Sequence, residues 1–196
     1  MIELIYPEEP APEIPAKTAA TVNIEVNASG EWLPIIDRYG TVIGRSSRQY
    51  CHSGSNILHP VVHLHIIDRL GRIFLQKRSI HKFIQPGKWD TAVGGHVAYG
   101  EGIIEALYRE SGEELGLTQY NPVYLETYLY DSKTEKEMVF VFAAVGSYTI
   151  KINEDEISEG RFWTPEEIAK ASGHNILTPN FESEFQKIKT KLFALL

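Results

Sequence analysis

The sequence predicts an α+β fold, helices packed on a mixed β-sheet, from the order of its segments. Strand-like stretches come first, one helical stretch interrupts them, more strands follow, and helices close the chain. A regularly alternating parallel α/β protein would interleave the two kinds throughout. With 196 residues, 43% of them apolar and 23% charged, the chain can build one domain with a full core and still carry an extension.

Residues 1–30 hold Pro7, Pro10, Pro12 and Pro15 among acids and small residues, which predicts an extended arm with a short strand at Thr21–Val26. The domain itself is expected over residues 31–196. "EWLPIIDRYGTVIGRSSR" predicts two strands around Asp37–Gly40, with Pro34 marking an edge. "VVHLHIIDRLGRIFLQKRS" carries the strongest hairpin signal, around Asp68–Gly71. "PGKWDTAVGGH" enters a short strand that ends at Gly94–Gly95, and a helix runs from about Gly102 to Leu115, closed by Gly116. "PVYLETYLYD" and "MVFVFAAVGSY" are strands joined by "DSKTEKE". "ISEGRFWTPEEIAKAS" is a strand and then a helix capped by Thr164, Pro165 and Glu167. The last helix aligns Phe181, Phe185, Ile188 and Leu192 on one stripe.

The net charge of −7 argues against general nucleic-acid binding. No apolar run approaches the roughly 18 residues of a membrane span, so no membrane association is expected. A single cysteine, Cys51, forms no internal disulfide and suits a reducing compartment, and the start lacks a basic and apolar leader. A cytoplasmic location is the expectation. The chain is compatible with an oligomer in which the arm reaches a neighbouring subunit.

The helix after Gly95 is unusual. At 100° per residue, Ile104, Leu107, Tyr108, Ser111 and Leu115 share one face, while Glu110, Glu113 and Glu114 share another. Carboxylates three and four residues apart repel by a few tenths of a kcal/mol per pair. A hard divalent cation reverses that sign, and Mg²⁺ favours a few carboxylates plus substrate phosphate oxygens. Arg109 is spaced to orient the neighbouring acids. A basic cluster of Lys77, Arg78, Lys82 and Lys88 could hold an anionic substrate beside such a site.

These residues resemble the Nudix box, G-x5-E-x7-R-E-U-x-E-E-x-G-U, met here by Gly95, Glu101, Arg109, Glu110, Glu113, Glu114, Gly116 and Leu117. Ser111 replaces a bulky apolar residue, which is expected to thin the helix packing. The resemblance implies an α/β/α sandwich hydrolase acting on a diphosphate linked to another moiety, commonly a nucleoside diphosphate derivative, with Mg²⁺ or Mn²⁺. It implies Glu110, Glu113 and Glu114 as metal ligands, the Gly95 carbonyl as a further one, and Glu110, Glu113 and Arg109 as the catalytic set.

The wider chain, from Trp32 to Trp163, is similar to the branch containing type I isopentenyl diphosphate isomerases and hydrolase-like relatives. That similarity implies a second metal site from His52, His59, His96, Glu135 and Glu137, and substrate binding by Arg78 and Lys82 with Lys77 beside them. The isomerases use a cysteine two residues before the histidine of the Gly-His element. Gly94 stands there and cannot move a proton, so a pyrophosphohydrolase leads over an isomerase homologue, with a non-catalytic diphosphate sensor as a third reading.

Overall fold

The computed structural model describes residues 22–23 and 30–196, apart from residue 83. The expected arm lies outside the described residues except at Val22–Asn23 (β1), which pair in parallel with β3. β2 (Trp32–Ile36) and β3 (Val42–Ser47) form the first hairpin. Asp37 Oδ1 accepts from the amides of Tyr39 and Thr41, and this closes the turn. β2 occupies an edge of this small sheet, where the missing amide of Pro34 costs no ladder bond. A short helix, α1 (Arg48–Cys51), follows with Ser47 as its cap, an element that the sequence pattern did not announce.

The main sheet comprises β4 (Leu58–Ile67), β5 (Ile73–Arg78), β6 (Trp89–Asp90), β7 (Val93–His96), β8 (Val123–Asp131), β9 (Lys136–Val145) and β10 (Ile157–Trp163). Its order is β10-β5-β4-β9-β8, with β6 on β5 and β7 on β4. β4 and β9 run parallel over ten paired residues, whereas the other edge of β4 forks. Val61 to Leu64 pair with β7, and only Ile66 and Ile67 pair with β5. The hairpin expected at Asp68–Gly71 is therefore real but short, because β7 takes the first half of the edge.

Helices cover both faces. α2 (Ile103–Leu115) packs on the face of Val62, Leu64 and Ile66. α3 (Pro165–Ala171) and α4 (Pro179–Phe193) cover the opposite face around Val61, Ile67 and Val139. Phe181, Phe185, Ile188 and Leu192 are all buried, each worth about 1.5–3 kcal/mol of apolar burial. The result is an α/β/α sandwich with a mixed sheet.

The buried stripe of α2 differs in detail from the expected one. Ala106, Leu107, Ser111 and Leu115 are buried, Ile104 in the first turn stays 45% exposed, and Glu114 joins the buried side. Ser111 does not thin the packing: its hydroxyl lies 2.9 Å from the Leu117 carbonyl and 3.0 Å from the Tyr120 hydroxyl, so a polar pair fills the space. Among the described residues no helix is long and apolar enough to cross a membrane.

Candidate cation and diphosphate site

The site is organised by β7, whose side chains alternate between two faces. Gly95 faces α2, and a Cβ built there would lie 2.1 Å from the Glu110 carboxyl carbon. Only glycine permits that approach. Gly94 faces the other way, toward the His63 ring at 3.6 Å, and His96 joins a histidine cluster. One four-residue strand thus forms a wall between an acidic compartment and a histidine compartment.

On the acidic side Arg109 is the organiser. Its Nε and Nη2 donate to both oxygens of Glu101, Nη1 reaches Glu110 at 2.9 Å and Glu113 at 3.2 Å, and Nη2 reaches the His96 carbonyl at 2.9 Å. The bidentate bond holds the Glu101 carboxyl below its usual range. Burial pushes Glu110 up, and burial together with the Glu110 charge pushes Glu114 up to about 8. Glu114 is 5% exposed and accepts from Gln76 Nε2 at 3.0 Å. Glu113 does not converge with the other two: its side chain is 58% exposed and is drawn to Arg109 at the surface. Glu105, one turn before Arg109, caps its own helix by accepting from the Gly102 amide.

The histidine side assembles His52, His59, His96 and Glu137, whose potential ligand atoms all lie within 4.8 Å of one another. The parallel register of β4 and β9 puts His59 directly opposite Glu137. His59 Nδ1 bonds the Ile57 carbonyl at 3.0 Å, which fixes the tautomer and leaves Nε2 as a lone pair aimed at the cluster. That Nε2 is buried without a partner among the described residues. Burial lowers His59 to about 4 and holds His96 well below its ordinary value, while burial and Glu135 raise Glu137 to about 7. Glu135 stands just outside, bonded to His52 Nδ1 at 2.7 Å. Imidazole nitrogens converging with a carboxylate, His52 Nε2 and His96 Nε2 sharing a hydrogen bond at 2.8 Å and His59 Nε2 left without a partner among the described residues, fit a divalent cation.

A cavity of about 890 Å³ runs between the compartments and is lined by His52, His96, Glu137, Glu114, Arg78 and Lys82, among others. Arg78 is held by the Ile84 carbonyl and by Asp90 at 3.4 Å, and Lys82 by Glu156 at 2.7 Å. Lys77 is not brought to the cavity. Strand alternation sends it to the face opposite Gln76 and Arg78, where its ammonium lies over Trp89 and 3.9 Å from Glu159.

Two features escaped the sequence reading. Gln76 and Asp90 reach the site from strands whose pairing with each other, Gln76 opposite Asp90, no local pattern announces. Glu184 sits in the apolar stripe of α4 and bonds His63, His65 and Tyr128. A carboxylate within a hydrophobic stripe, beside two histidines of one strand parity, was the available signal.

Fold and site together define an α/β/α sandwich whose central cavity is lined by carboxylates, histidines and cations. Residues 57–181 match the NUDIX domain family, and the chain belongs to it. It is 30% identical over 150 residues to an isopentenyl-diphosphate Delta-isomerase of Clavibacter sepedonicus, covering 74% of this chain and 79% of that one. It is also 30% identical over 141 residues to YfcD of Escherichia coli (strain K12), described as an uncharacterized Nudix hydrolase, covering 72% and 78%. Among solved structures, the DR0079 protein of Deinococcus radiodurans superposes with a TM-score of 0.71 at 23% identity, over 81% of this chain and 99% of that one, which bears on the fold.

Proposed function

We propose that this chain is a metal-dependent pyrophosphohydrolase that cleaves the diphosphate linkage of a nucleoside diphosphate derivative or similar compound, with residues 31–196 as its catalytic domain. The observation that carries this reading is the close approach of Gly95 to Glu110, beside buried Glu114, along a cavity that also holds Arg78 and Lys82. Mg²⁺ or Mn²⁺, when bound, would screen the diphosphate charge and make a water acidic enough to ionise near neutral pH. Glu110, Glu114 and the Gly95 carbonyl would hold such an ion, and Glu113 would join by releasing Arg109. Glu110, its pKa raised by burial, is suited to accept the proton of the attacking water. Arg109 keeps Glu101 and Glu110 in place, and Arg78 and Lys82 neutralise the phosphoryl oxygens. His52, His59, His96 and Glu137, with Glu135 behind His52, would hold a second ion.

Under this reading the purified chain, given Mg²⁺ or Mn²⁺ and a panel of nucleoside diphosphate derivatives, releases a monophosphate, and Glu114→Gln loses most of the turnover. A panel without metal-dependent product would refute it. The histidine cluster favours one competing reading, an isomerase, but Gly94 offers no proton-transfer group. Incubation with isopentenyl diphosphate is accordingly expected to yield no dimethylallyl isomer.

A further inference from the structure

His63 is a buried residue that this mechanism leaves unused. It is 8% exposed, lines the cavity, and lies on the same face of β4 as His59 and His65. Its Nδ1 meets Glu184 Oε2 at 2.8 Å, while His65 Nε2 meets the other oxygen at 2.6 Å and the Tyr128 hydroxyl donates at 2.7 Å. Glu184 is 1% exposed, so its charge requires a compensating cation. Geometry decides which histidine supplies it. A second proton on His65 would sit on Nδ1, which is buried with no partner among the described residues. A second proton on His63 sits on Nε2, beside Gly94 and the cavity, where an acceptor can reach it.

We propose that His63, aligned and charged by Glu184, donates its Nε2 hydrogen to a phosphoryl oxygen of substrate seated over Gly94, as a third cationic contact beside Arg78 and Lys82. The absent side chain at Gly94 is what leaves this ring edge open. Burial alone would lower His63, but the Glu184 charge and hydrogen bond overcome it and push His63 up to about 9, in keeping with a cationic donor. The neighbouring Asp90 does not compete for Nε2, because it is engaged by Arg78, by the Thr178 hydroxyl and by the Thr91 amide. The proposal rests on the cavity being a diphosphate site, not on turnover.

The test is binding of methylenediphosphonate, which is not hydrolysed, to the full chain with Mg²⁺, read by calorimetry and by the nitrogen resonances of labelled histidine. Binding should shift His63 Nε2, and affinity should fall about ten-fold in His63→Gln. It should fall about five-fold in Gly94→Ala, whose added methyl meets the ring at an ordinary 3.6 Å and leaves the Glu184 bonds untouched. Undiminished affinity in both variants overturns the proposal. A loss confined to His63→Gln also overturns it, since that is what a purely structural role gives. Turnover without these losses refutes the His63 contact alone. The losses without turnover refute the hydrolase and leave the contact standing.

Discussion

The two compartments beside β7 gather their side chains by opposite means. The acidic compartment draws its groups from residues 95–114, and Arg109 spreads their charge through bonds to Glu101, Glu110 and Glu113. The histidine compartment draws from the end of α1, from β4, from β7 and from β9, and burial suppresses proton uptake by His59 and His96. The first compartment is held by an ion-pair network on one helix and the loop that enters it. The second is held by sheet register, above all His59 opposite Glu137. A local network tolerates loss of one partner differently from a register-built cage.

The largest effect is expected where the compartments touch. In Gly95→Ala the new methyl would overlap the Glu110 carboxyl, so either the carboxyl or β7 must shift. Misplacement by about 1 Å can cost on the order of 100-fold in rate. Steady-state kinetics should show that loss in kcat at a nearly unchanged melting temperature, and wild-type kcat would show that Glu110 takes no part. On the other side, His59→Gln removes the one orphaned lone pair of the cage. Metal analysis after dialysis should find one ion fewer per chain, with turnover down about ten-fold. Unchanged metal content would mean that the histidine cluster is not a cation site.

This contrast also explains what could be read from the sequence. The acidic compartment was legible because its residues fall within one helix and its entry loop, where spacing is nearly geometry. Even so, Glu113 and Glu114 were grouped by angle, and burial separated them, because a helical wheel does not say where the sheet ends. The sandwich was legible from the segment order and the caps, as Thr164 demonstrates. The histidine compartment was legible only through resemblance, since a parallel pairing across 78 positions has no local signature. Lys77 was grouped with Arg78 by proximity along the chain, and strand alternation parted them. The Glu184 network stayed hidden because its carboxylate lies far along the chain from the histidines that it serves.

That network gives a smaller, pH-dependent effect on the histidine side. His63 is raised above its ordinary 6.5 to about 9, so its contribution to stability is complete below about pH 6.5 and is lost as pH rises through 9. Glu184 is depressed, so its contribution is present above its ordinary 4.5 and is lost at lower pH. The staple between α4 and β4 is therefore strongest between about pH 4.5 and 6.5. Thermal melts should lose about 3–8 °C between pH 6.5 and 9.5 in the wild type. His63→Gln should begin lower and lack that slope, and parallel curves for the two proteins would show that the pair does not carry the charge assigned to it.

The smallest effect tests the core side of α2 against its acidic side. Ser111 donates to the Leu117 carbonyl and lies within hydrogen-bond distance of the Tyr120 hydroxyl, which can also reach the Leu107 carbonyl at 3.3 Å. In Ser111→Ala the tyrosine falls back on that longer bond, while the Leu117 carbonyl loses a donor. The cost should be about 1 kcal/mol, the net worth of one buried hydrogen bond, seen as a lower denaturation midpoint at unchanged slope. Metal content, kcat and KM should stay at wild-type values, because the helix end remains fixed by the Gly116 and Leu117 amides bonding back to Gly112 and Ser111. A drop in kcat of ten-fold or more would instead mean that this polar pair sets the pitch at which Glu110 and Glu114 meet β7.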